Sequence, residues 1–111
     1  MYGGGCRVDW EKVLREADEL ARQLRRAGVD LNEAVNEAEK ALTFYLYKNC
    51  NEEAMRRYLS TMATNPPPRS KKTQRYYCAI RDLWEGWRTD LSGRDKARAW
   101  GWAVRLAKVG K

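Results

Sequence analysis

The sequence predicts an all-α fold, a compact bundle of about five helices. Apolar residues recur at spacings of three and four in five separate stretches, and a capping residue stands before each of them. Nowhere does a strand-like alternation of apolar and polar residues run. All five stretches fit within 111 residues, one domain's worth. With 43% hydrophobic and 33% charged residues, the chain has enough apolar surface to bury a core and enough charge to stay in water.

Residues 1–8, opening Met1-Tyr2-Gly3-Gly4-Gly5-Cys6, are expected to be a flexible N-terminus, and 9–111 a single helical domain. Asp9 is a good N-cap for a first helix whose apolar stripe is Val13, Leu14, Ala17, Leu20, Ala21 and Leu24, ending near Gly28. Asp30 with Glu33 reads as a capping box for a second helix carrying Leu31, Ala34, Val35, Ala38, Leu42, Tyr45 and Leu46. It stops around Asn49-Cys50-Asn51. Asn51 caps a third, shorter helix with Met55, Tyr58, Leu59 and Met62, before Pro66-Pro67-Pro68 removes three successive backbone donors. Residues 66–69 therefore read as a linker.

Ser70 caps a fourth helix with Tyr77, Ile80, Leu83, Trp84 and Trp87 on one side of the cylinder. After Thr89-Asp90-Leu91, Ser92 and Asp95 form a capping box for a fifth, with Ala99, Trp100, Ala103, Val104, Leu106 and Ala107. Gly101, in its middle, costs about 1 kcal/mol against alanine, so close packing is expected there.

Charge divides the chain. Residues 1–65 carry 10 Lys and Arg against 11 Asp and Glu, whereas 66–111 carry 12 against 4, so all of the net +7 lies after the prolines. Such asymmetry suits a polyanion, because each cation near a phosphate displaces condensed counterions. Residues 9–65 are expected to be a scaffold or partner-contact half, and 70–111 a basic nucleic-acid half.

Catalysis is not expected. The chain has no histidine, the commonest general base and nitrogen ligand. Carboxylates such as Asp18 with Glu37, or Glu52 with Glu53, lie among arginines and lysines and read as surface ion-pair partners. Gly3-Gly4-Gly5 has no Lys-Ser/Thr pair behind it and is not a phosphate loop. Cys6, Cys50 and Cys78 are widely spaced and odd in number, so they read as buried or incidental thiols rather than a zinc site or a disulfide framework. No metal or cofactor is expected. With no apolar run of roughly 20 residues and no signal pattern, a cytoplasmic protein away from membranes is expected.

The candidate site is basic and aromatic. From Arg69 to Arg81 cations alternate with rings, and the helix N-terminus there already favours anions. Lys71, Lys72, Arg75, Tyr76 and Arg81 are the candidates, with Tyr77 assigned to the core and Tyr76, about 100° round the cylinder, to the surface. On the fifth helix Arg94, Arg98 and Arg105 share a face, and Lys108 continues the series. Packing through Trp84, Trp87, Trp100 and Trp102 is expected to set the two basic faces side by side. Trp84 and Trp100 suit the core; of Trp87 and Trp102, at least one is expected to form a stacking platform or a protein interface.

Thr73-Gln74-Arg75-Tyr76-Tyr77-Cys78-Ala79-Ile80-Arg81, followed by Lys96-Ala97-Arg98-Ala99-Trp100-Gly101-Trp102-Ala103-Val104-Arg105, resembles the small helical subunit of type III CRISPR effector complexes, in particular the Csm type. The resemblance covers about forty residues. It implies a non-catalytic subunit, present in several copies beside other subunits, that steadies guide and target strands through backbone contacts while base pairing supplies sequence. Arg75 and Arg105 match the family's basic positions; Lys71, Lys72, Arg81 and Arg98 are added from the faces they share. The pattern Ser70, Thr73, Tyr77, Arg81, Trp87 is also similar to the first helix of the core-binding domain of tyrosine recombinases, which implies a stand-alone DNA-binding module. A protein adaptor is the third possibility, set apart by its indifference to salt. RNA or DNA, single or double strand, is left open by the residues.

Overall fold

The computed structural model describes residues 8–27, 31–64 and 71–109. They form α1 (Trp10–Arg26), α2 (Leu31–Tyr47), α3 (Glu52–Thr64), α4 (Lys71–Gly86) and α5 (Gly93–Val109), with no strand among the described residues. Local chemistry sets the ends. The Asp9 carboxylate accepts the Lys12 amide at 3.1 Å, Asn51 Oδ1 that of Ala54 at 2.9 Å, and Ser92 Oγ that of Asp95 at 3.2 Å. Arg25 and Arg26 close α1, where the helix dipole favours cations.

α2 ends in a Schellman turn. The Asn49 amide reaches the Leu46 carbonyl at 3.0 Å and the Cys50 amide the Tyr45 carbonyl at 2.8 Å, with Asn49 and Cys50 both left-handed at φ 56° and 58°. The stop near Gly28, the capping box at Asp30, the cap at Ser70, the start 1–7 and the linker 66–69 lie outside the described residues. Val8, assigned to the flexible start, packs against the core.

The helices pair as two units bridged by α2. α1 and α5 run parallel, tied at one end by the Lys12–Asp90 ion pair and at the other by the Arg25 guanidinium donating to the Leu106 carbonyl at 3.1 Å. Alanines allow that close approach: Ala17 and Ala21 on α1, and Ala99, Ala103 and Ala107 on α5, are all buried. α3 and α4 form an antiparallel hairpin in which Tyr58 and Tyr77 share a 2.9 Å hydrogen bond and the Gln74 amide donates to the Ala63 carbonyl at 3.0 Å. α2 lies antiparallel to α5 and reaches α4 through Tyr45 against Trp84. The resulting body measures 52 × 30 × 19 Å.

At the centre, Trp100 stands edge-on to Trp84 at 5.2 Å and donates its indole N–H to the Ala38 carbonyl at 3.0 Å. Three expectations are corrected by this packing. Leu14 and Leu46, counted in their helices' apolar stripes, are 42% and 52% exposed, because each sits at the stripe's edge where no neighbouring helix covers it. Tyr76, assigned to the surface, is buried beside Tyr77, so the covered arc of α4 is wider than the single stripe implied. The basic faces of α4 and α5 are not aligned along their lengths: each helix follows a different neighbour, and they meet through Trp84, Trp100 and Lys96.

Gly93, rather than Gly101, is the close-packed glycine of α5. A Cβ on Gly93 would stand 2.9 Å from Cys50 Cβ and 3.1 Å from the Tyr45 hydroxyl, whereas one on Gly101 would meet Leu42 Cδ2 at 3.4 Å, an ordinary contact. Gly93→Ala is therefore expected to destabilise the fold by about 1–3 kcal/mol through overpacking against the α2–α3 turn. Thermal unfolding of the variant beside the parent checks this.

Two phenols are held protonated. Burial, then a hydrogen bond donated to Glu52, raises Tyr45 well above the ordinary tyrosine range; burial, then hydrogen bonding to Tyr58 and to Glu37, does the same for Tyr77. Above a pH of about 10 the unfolded chain ionises these phenols while the folded one keeps their protons, so the unfolded state binds fewer protons and stability falls as pH rises. Urea unfolding at pH values on either side of about 10 should show a lower midpoint on the alkaline side, and Tyr45→Phe should flatten that fall.

Candidate nucleic-acid interface

α5 buries Ala97, Ala99, Trp100, Ala103, Val104 and Ala107, and this fixes what it turns outward. At 100° per residue, Arg94, Arg98, Trp102, Arg105 and Lys108 fall within an arc of about 120°, spread over roughly 21 Å of helix. All five are exposed. No carboxylate of α5 lies inside the arc: Asp95 sits at its rim and is largely covered.

Their electrostatic situations differ. Arg94 makes no ion pair with another described residue, and Arg105 lies over the Trp102 ring at 5.2 Å, its charge uncompensated by any described carboxylate. Arg98 is shared with Asp95 at 2.7 Å and Lys108 with Glu39 at 2.6 Å, surface pairs weak enough for a phosphate to compete for the cation. Trp102 is the ring left over from the core, 37% exposed. Trp87, the other candidate, is half-buried, edge-on to Trp84 at 5.5 Å, and donates to Glu16 at 2.8 Å.

On α4 the expected cluster is only partly assembled. Arg75 is exposed and has no ion pair with a described residue, while Arg81 is half-buried beside Asp82 at 3.4 Å. Tyr76 is in the core and offers no stacking face. The side chains of Lys71 and Lys72 lie outside the described residues.

Two roles escaped the sequence. Lys96, one of the C-terminal cations, is a structural residue: it lies over Trp84 at 4.3 Å and Trp87 at 5.3 Å and pairs with Glu52 at 2.8 Å. Arg25, on the half read as scaffold, donates to the Leu106 carbonyl and so sets a cation of α1 against the end of α5. Its place beside Arg26 in a last helical turn explains the charge locally and hid that contact. Of the carboxylates expected to be surface ion-pair partners, Asp18 with Arg22 and Glu53 with Arg57 are so, whereas Glu37, paired with Lys40, is largely covered and also serves Tyr77, and Glu52, paired with Lys96, also accepts from Tyr45. Among the described residues, no helix is long and apolar enough to cross a membrane.

No family model matches the chain, and neither a curated protein nor a solved structure is detectably similar to it.

Proposed function

We propose that this chain is a non-catalytic nucleic-acid-binding protein that holds the sugar-phosphate backbone of a single strand along α5. The observation that carries the reading is the outward arc of Arg94, Arg98, Arg105 and Lys108 with Trp102 at its edge, beneath Arg105. Cations at successive turns follow a line of phosphates, and a ring among them provides a stacking face that accepts any base. Arg75, with Lys71, Lys72 and Arg81, supplies a second, smaller basic region on α4. The setting we propose is the one implied by the C-terminal resemblance: a cytoplasmic CRISPR ribonucleoprotein effector complex, with this chain as its small subunit, present in several copies beside other subunits. Sequence would then be read by guide–target pairing and not by these side chains.

A protein adaptor is favoured by a different observation, the exposure of Trp10, Leu14, Leu46 and Tyr47. Affinity purification of the tagged chain from its native cell, with and without nuclease, separates the two. The proposed function predicts co-purification of RNA with repeat-type backbone proteins; recovery of protein partners alone, unchanged by nuclease, would support the adaptor.

A further inference from the structure

The α2–α3 turn and the first turns of α5 enclose a cleft of about 500 Å³, lined by Leu46, Asn49, Cys50, Arg94, Ala97 and Arg98. We infer that this cleft receives one unstacked base of the bound strand, whose adjoining phosphate is held by Arg94 and Arg98; this rests on the proposed function.

Size, lining, charge and position each support the assignment. The volume lies in the range of roughly 300–1,000 Å³ that small-ligand sites occupy. Leu46 and Ala97 give apolar walls for the faces of a base, and the Asn49 side chain offers both a donor and an acceptor for its edge. The two guanidiniums stand one helical turn apart and no carboxylate is among the described lining residues; Arg98 is shared with Asp95 in a surface pair, Arg94 has no ion pair with another described residue, and the cleft is complementary to an anion. Arg94 and Arg98 also begin the arc on α5, so a strand following the helix reaches the cleft without changing course. The floor is firm: the Schellman turn fixes Asn49 and Cys50, and the absence of a side chain at Gly93 lets α5 close on them.

Cys50 provides a reporter inside the cleft. Burial raises its thiol above the ordinary value while Arg94 draws it down, so alkylation is best followed at mildly alkaline pH. Cys78, half-buried with its thiol toward the Ala63 carbonyl, is an internal control. With Cys6→Ser as the parent protein, N-ethylmaleimide labelling is compared in buffer, with a single-stranded RNA, and with an abasic strand of the same length at equal occupancy.

The intact strand should slow Cys50 alkylation at least about tenfold, the abasic strand less than about threefold, and neither should alter Cys78. Asn49→Gly, which keeps the left-handed turn, should weaken binding of the intact strand and leave the abasic strand unchanged. Equal slowing by both strands, or none by either while anisotropy shows RNA bound, overturns the cleft and leaves backbone binding standing. Absence of RNA binding altogether overturns both.

Discussion

Trp100→Ala should remove about 3–5 kcal/mol of stability, a large fraction of the roughly 5–15 kcal/mol that holds a domain of this size. The ring is 2% exposed, stands against Trp84 and, at 6.3 Å, Trp87, and anchors α5 to α2 through its indole hydrogen bond to Ala38. Its removal opens a cavity where the α1–α5 pair, α2 and the α3–α4 hairpin meet. Relaxation there is limited because the neighbours are themselves rings held by other contacts: Trp84 by Tyr45, and Trp87 by Glu16. Urea unfolding followed by far-ultraviolet circular dichroism should show a lower midpoint. Leu14→Ala belongs to the same periodic pattern but is 42% exposed, and should cost within about 0.5 kcal/mol. Comparable losses from the two would contradict the packing described.

Reversing charge at three positions, Arg94→Glu, Arg98→Glu and Arg105→Glu together, should lower affinity for single-stranded RNA at least about 100-fold and leave helical content intact. Each replacement removes a phosphate contact and adds a repulsive charge in its place. Stability is little affected, since these side chains are exposed and the one ion pair lost, Arg98 with Asp95, is a surface pair. Arg57→Glu is the control: it is exposed on α3, paired with Glu53, and lies off the arc, so RNA binding should hardly change. Unchanged affinity in the triple variant would remove α5 from the interface.

Helix identity and most of the core were legible because period and caps coincide: Asp9, Asn51 and Ser92 each accept the amide their position predicts. What periodicity cannot convey is which helix covers which arc. Tyr76 and Tyr77 are adjacent, and both are inside because the covered arc of α4 is broader than one stripe; Leu14 and Leu46 satisfy the pattern and lack a covering neighbour. The same gap affected the site. Arg94, Arg98 and Arg105 were legible as one face of one helix, yet the cleft beside them is made by a turn some forty residues earlier in the chain. Lys96 shows the limit of counting charge, for a lysine in a basic helix reads as solvated unless the tryptophans that cradle it are placed.

The central claim is that α5 binds a nucleic-acid backbone through its cations, and the most direct test is the salt dependence of single-stranded RNA binding by fluorescence anisotropy. With Arg94, Arg98, Arg105 and Lys108 each neutralising a phosphate, the logarithm of the association constant should fall against the logarithm of salt concentration with a slope of about −3. A slope near zero between about 50 and 200 mM salt, or no binding at the lower concentration, would contradict it.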